Sequence, residues 1–111
     1  MAPAFESALA AVSRAYRERD ASQLAGVWPS ANTADLERSF SAVKYQSLSF
    51  DRCSTRPNGA ASVVASCEVS IAAAAKEGDP SLQRHRESWT LVLNRAGEGW
   101  TIAGVSAQAV P

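Results

Sequence analysis

Few side chains here carry chemistry, and they are scattered. His85 is the one histidine, set between Arg84 and Arg86 with Glu87 following. General acid–base work at His85 needs a substrate and an orienting partner within hydrogen-bond reach. A solvated, charged strand end accounts for the same residues more simply. Asp51 and Glu68 are candidate pocket acids, but their strand positions and neighbouring arginines also suit surface ion pairs. Tyr16, Trp28, Tyr45 and Trp89 are the candidate ligand-binding residues, each an aromatic with a polar handle. Aromatics at helical or alternate-strand spacing serve equally as plain core. No serine sits in a G-x-S-x-G elbow. The sequence has no glycine-rich phosphate loop and no metal-ligand cluster. These motifs therefore predict no catalytic residue, no metal and no cofactor.

The two cysteines, Cys53 and Cys67, are more informative. A hairpin centred on Ala60 places them directly opposite each other and sets Arg52 opposite Glu68. Opposed strand residues have Cα atoms about 4.5–5.5 Å apart, within the range a disulfide accepts. The bridge would close a loop of about 15 residues, for which chain entropy gives about 3 kcal/mol. Two buried free thiols, packed as small hydrophobes, are the alternative. Placing Phe50 on the face of Val69 and Ile71 needs a register one residue different. A β-bulge between Leu48 and Cys53, or between Cys67 and Ile71, reconciles the two.

The elements that must position these residues start with Gln83 to Ala107, which reads as a β-hairpin. Trp89, Leu91 and Leu93 alternate with Ser88, Thr90, Val92 and Asn94, a period of two. Trp100, Ile102 and Gly104 alternate with Thr101, Ala103 and Val105. With Ala96 to Gly99 as a four-residue loop, Arg95 faces Trp100, Leu93 faces Ile102 and Leu91 faces Gly104. Both tryptophans then share an inward face. Every inward position so named is apolar or aromatic, which favours a non-catalytic domain. The opposite face, with Thr90, Val92, Thr101, Ala103 and Val105, is flat and mildly polar and suits face-to-face dimerisation.

Earlier in the chain the period is helical. Phe5, Leu9, Val12 and Tyr16 form one stripe, predicting a helix from about Ala4 to Arg19. Asp20 is an N-cap with Gln23 as its capping-box partner. A short second helix carries Leu24, Val27 and Trp28 inward and stops before Pro29. Leu36, Phe40 and Val43 mark a third. From Lys44 the pattern becomes strand-like: Tyr45 to Cys53, a turn at Arg56-Pro57-Asn58-Gly59, then Val63 to Ala75. The alanines at 72–75 favour helix when taken alone but read as the tail of that strand. Lys76 to Ser81 is a loop.

At 111 residues the chain is one domain spanning 1–111, large enough to bury about 65% of its unfolded surface. With 11 basic and 11 acidic residues the net charge is zero, which argues against nucleic-acid binding through phosphate neutralisation. No stretch is long and apolar enough to span a bilayer, and Met1-Ala2-Pro3 does not begin a signal peptide. The sequence is therefore expected to be cytosolic or excised from a longer protein, and a disulfide would favour an extracytoplasmic setting.

Several stretches carry a resemblance: Tyr16-Arg17-Glu18-Arg19-Asp20 with Leu24 and Trp28-Pro29, the Cys53 and Cys67 pair, and Trp89-Thr90-Leu91 with Gly99-Trp100-Thr101-Ile102. Together with three helices before four strands, they make the chain similar to the nuclear transport factor 2-like (SnoaL-like) superfamily, in a bacterial branch. Similar segments form C-terminal or extracytoplasmic modules of larger proteins, including serine/threonine kinases. The resemblance implies an α+β fold in which three N-terminal helices pack on a curved antiparallel sheet of about four strands. It also implies a frequent homodimer, upstream domains, and a small-molecule pocket between helix and sheet. The expected function is a non-catalytic, extracytoplasmic binding or association module. The alternative is a small pocket enzyme, an isomerase or dehydratase. Such enzymes of the superfamily use pocket carboxylates, tyrosines and histidines, and no position here matches theirs by motif.

Overall fold

The computed structural model describes residues 5–79, 81–97 and 99–109. Ala4, Pro80, Glu98 and the side chain of Phe5, all parts of expected elements, lie outside the described residues. The order is α1 (Phe5–Glu18), α2 (Ala21–Val27), α3 (Thr33–Ser41), β1 (Val43–Pro57), β2 (Ser62–Ala75), β3 (Gln83–Ala96) and β4 (Gly99–Ala109). This is the expected α+β arrangement, three helices on one antiparallel sheet in the order β1-β2-β3-β4.

The helices start and stop for local reasons. α1 buries Ala8, Leu9, Val12 and Ala15 along one face. It ends with Arg19 in the left-handed region, φ 55°. The Asp20 amide then reaches the Ala15 carbonyl at 2.9 Å and the Arg19 amide reaches that of Tyr16 at 3.1 Å. Those nested bonds are a Schellman cap, usually built on glycine. Here the Arg19 guanidinium instead donates to the Val43 carbonyl at 3.0 Å, tying the cap to β1. Asp20 caps α2 as expected, accepting from the Ser22 and Gln23 amides. Asn32 caps α3, which ends at Ser41. Val43, expected on that helix, instead opens β1. The chain needs it there because Val43 pairs with Ala75 at the far end of β2.

The sheet settles the register questions. Cys53 pairs with Cys67 and Arg52 with Glu68, while Phe50 pairs with Val69 and Leu48 with Ile71. Asp51 is the extra residue, so the bulge falls between Leu48 and Cys53. β1 continues through Pro57, further than expected, and the turn begins at Asn58. Residues 72–75 do extend β2. In the last hairpin Arg95 pairs with Trp100 and Leu93 with Ile102 as expected, but Leu91 faces Val105 rather than Gly104. A further register shift, with Ala103 as the extra residue, exchanges the faces beyond it. Val105 therefore turns inward onto the core, and Gly104 takes the outward place opposite Val92.

The core lies between α1 and the inward face of the sheet. Leu24, Leu91, Leu93, Ile102, Val12 and Val69 are fully buried there, and Trp89 is 5% exposed. Trp100 is half-buried against the same cluster. The α1 backbone approaches both β1 and β4, the two edge strands. A sheet whose opposite edges both reach one helix must curl around it, and the bulges supply the bend.

Candidate functional site

Two places on the inward side of the sheet bring chemistry-bearing residues together. The first is an aromatic cluster below α1. Tyr16 meets Phe40 edge-on at 5.2 Å and Trp89 at 6.3 Å. Trp89 in turn meets Phe50 at 5.8 Å. The Gln46 side-chain amide, nearly buried, donates to the Tyr16 carbonyl at 3.2 Å and holds the helix end to β1. The Trp89 indole N–H donates to Glu87 Oε1 at 2.7 Å, and His85 Nε2 lies 2.9 Å from Glu87 Oε2.

Glu87 was not among the residues singled out in the sequence. Its signal is the period of two: Leu93, Leu91 and Trp89 continue to Glu87 and then His85 on one side of β3. The inward row is thus apolar only as far as Trp89, which corrects the expectation of a wholly apolar inner face. An acid at the rim offers an acceptor to an otherwise unpaired indole N–H. Burial pushes the Tyr16 phenol above its ordinary pKa, and the nearby Glu87 charge adds to that rise. His85 is about half exposed. Glu87 is the natural orienting group for its imidazole.

The second place is a groove of about 570 Å³ between the first half of α1 and β1. Leu9, Leu48 and Phe50 make its floor, Cys53 and Thr55 continue it along β1, and Glu6, Asp51 and Arg52 stand at the rim. Cys53 and Cys67 are at disulfide distance, Sγ to Sγ 2.08 Å, with Cα atoms 4.1 Å apart. That junction ties the outer part of β1 to the core, since Cys67 is buried and Cys53 exposed. At the bulge, Asp51 accepts hydrogen bonds from the Ser49 and Ser70 hydroxyls. The Ser70 bond does most to hold its carboxyl below the usual range; burial opposes it, and the Ser49 hydroxyl and the Arg86 charge add to the lowering.

The four aromatic candidates separate. Tyr16 and Trp89 meet in the cluster. Trp28 packs at the core's margin with its indole donating to Ser30 Oγ at 3.1 Å. Tyr45 is 49% exposed and lies on the outward side, because its neighbour Gln46 points in. Glu68 is also outward and shared by two arginines, at 3.7 Å from Arg52 and 3.6 Å from Arg86. Among the described residues no group of three or more His, Cys, Asp or Glu is placed to hold a metal ion. No described helix is long and apolar enough to cross a membrane.

No protein-family model and no curated protein matches the chain. Solved structures do. A chain from Streptomyces avermitilis, named as a candidate dehydratase of the NTF2-like family, superposes with a TM-score of 0.80 at 14% identity, over 96% of this chain and 94% of that one. A Thiobacillus denitrificans chain, named as a candidate calcium/calmodulin-dependent protein kinase type II association domain, gives 0.72 at 18% identity, over 99% and 100%. A Caulobacter vibrioides protein with a cystatin-like fold gives 0.78 at 13% identity, over 97% and 88%. The architecture is the NTF2-like, cystatin-like fold, and its structural neighbours include proteins named as enzymes and as association domains.

Proposed function

We propose that this domain is a non-catalytic binding module of a larger extracytoplasmic bacterial protein, and that it holds a small amphiphilic molecule in the groove between α1 and β1. The observation that carries the reading is the groove itself. Its volume of about 570 Å³ falls within the range of small-molecule sites, and an apolar floor with a few polar rim groups is their usual make-up. Leu9, Leu48 and Phe50 would take the apolar part, and Arg52 with Glu6 would orient the polar end. Of the sequence candidates, Tyr16 and Trp89 support the floor from below through Phe50, while Trp28 and Tyr45 stand apart from it.

Three further parts of the reading have separate support. Cysteines at disulfide distance suit an oxidising compartment. The likeness to a kinase association domain supports a larger parent. Thr90, Val92 and Thr101 on the outward face support a homodimer, with Gly104 in the place expected for Ala103 and Val105. The rival reading, an isomerase or dehydratase, draws on Glu87 between His85 and Trp89. It needs a cavity reaching that carboxylate, and the groove is lined by residues of α1 and β1, not by Glu87.

The test is binding of 1-anilinonaphthalene-8-sulfonate, whose fluorescence rises in an apolar site. Ala10 lines the groove yet is exposed, so Ala10→Trp fills the groove without entering the core. Wild type should bind saturably and Ala10→Trp about tenfold more weakly, with unchanged circular dichroism. Equal binding by the two proteins overturns the reading.

A further inference from the structure

The outward face holds a second hollow, which shares only Ser49 with the groove's lining and does not rest on the reading given to that groove. It encloses about 360 Å³ and lies over two adjacent cross-strand rows. One row runs Ser47, Ala72, Arg84 and the other Ser49, Ser70, Arg86, across β1, β2 and β3. The depression exists because Ala72 has only a methyl group between a serine and an arginine, and that methyl is 8% exposed at the bottom. Hydroxyls wall one side and guanidinium groups the other.

The charges within this cluster are unequally committed. Arg86 lies 3.6 Å from Glu68, and its charge also bears on Asp51. Asp51 occupies the Ser49 and Ser70 hydroxyl protons. Arg84 has no ion-pair partner among the described residues, and no hydrogen bond there engages the Ser47 hydroxyl. One end of the hollow is therefore electrically satisfied. The other presents an unpaired guanidinium fork and a free hydroxyl across an apolar floor.

We infer that this hollow binds a phosphate or carboxylate group carried on a small organic molecule, with Arg84 and Ser47 as the recognising pair and the Ala72 floor under the carrier. A planar guanidinium presents parallel N–H donors to two oxygens of such a group, and these charge-assisted bonds are the strong ones. The volume exceeds what a bare oxyanion fills, so the carrier belongs in the site. Because the chain's net charge is zero, the attraction is local to the hollow and not a property of the whole surface.

Calorimetric titration with phenyl phosphate and with benzoate, at low constant ionic strength, tests this. At least one should bind saturably. Arg84→Gln should weaken it about tenfold or more, the loss of one charge-assisted hydrogen bond. Ser47→Ala should weaken it severalfold, and Lys76→Gln, a cation outside the hollow, should leave it unchanged. Both Arg84 and Lys76 are exposed, so these variants fold. No saturable binding of either compound overturns the inference, as does equal binding by wild type and Arg84→Gln. Retention on phosphatidylcholine vesicles containing phosphatidylglycerol, without binding of either compound, also overturns it, because the partner would then be a lipid surface.

Discussion

The two halves of β1 are one strand in two environments. From Val43 to Phe50 inward residues are buried or half-buried, with Leu48 at 3% exposure. From Asp51 to Pro57 every residue is exposed. Both halves pair in register with β2, so backbone hydrogen bonding does not distinguish them. The first half lies under α1, where Gln46 reaches the Tyr16 carbonyl. The second lies beyond the bulge and looks into the groove, and its link to the core is the Cys53–Cys67 junction. Ladder bonds place a strand; burial or a covalent tie is needed to hold it.

Three measurements break or sharpen that contrast. The largest effect belongs to the first half: Leu48→Ala should cost about 2–5 kcal/mol by denaturant unfolding, whereas Thr55→Ala beyond the bulge should stay within about 0.5 kcal/mol. Equal costs would erase the distinction. Next comes the junction. Replacing Cys53 and Cys67 by alanine together should cost about 3 kcal/mol, and hydrogen exchange should quicken in residues 51–57 and 62–68 before it does in 43–50. Two alkylatable thiols in protein purified without reductant would show that the tie is not made.

The smallest effect is at the hinge between the halves. Asp51 has a folded-state pKa below its unfolded one, so its ionised form stabilises the fold fully above the unfolded value of about 3.9. That contribution is lost as pH falls through the lower folded value. Asp51→Asn should remove this acid limb, and the two proteins' melting temperatures should converge as pH falls below about 4. Asp51 is solvent-exposed, so screening keeps the difference at neutral pH under about 1 kcal/mol. A gap that widens in acid would contradict the assigned hydrogen bonds.

The sequence made much of this fold readable because pattern and spacing agree there. The α1 stripe, the Asp20 cap, the opposition of the cysteines and the need for one bulge, on either β1 or β2, all follow from period and pairing geometry. The bulge at Ala103 was not readable: Gly104 and Val105 fit either face, and only docking onto Leu91 and α1 selects one. Val43 continued a helical spacing, but its partner Ala75 lies across the sheet, and no local pattern reports that. The site was less legible than the fold. The groove depends on where α1 rests, and the Ala72 hollow depends on three strands meeting at one small residue. Glu87 was hidden by its charge, which invites an outward reading of a position that the alternation places inside.

The approach of α1 to β4 also carries a consequence for synthesis. Helix α1 must wait for β4, about 80 residues later, and at 5–20 residues per second that is roughly 4–16 s. The strand pairs between them are all sequential neighbours and can close as they emerge. The apolar face of α1 meets α2 and β1 as they emerge, but the part that rests on β4 stays uncovered until that strand is made. Throughout that interval part of the α1 face is open to any holding factor, so a truncation that removes β4 should leave a partly covered helix on a three-stranded remnant rather than a smaller folded domain.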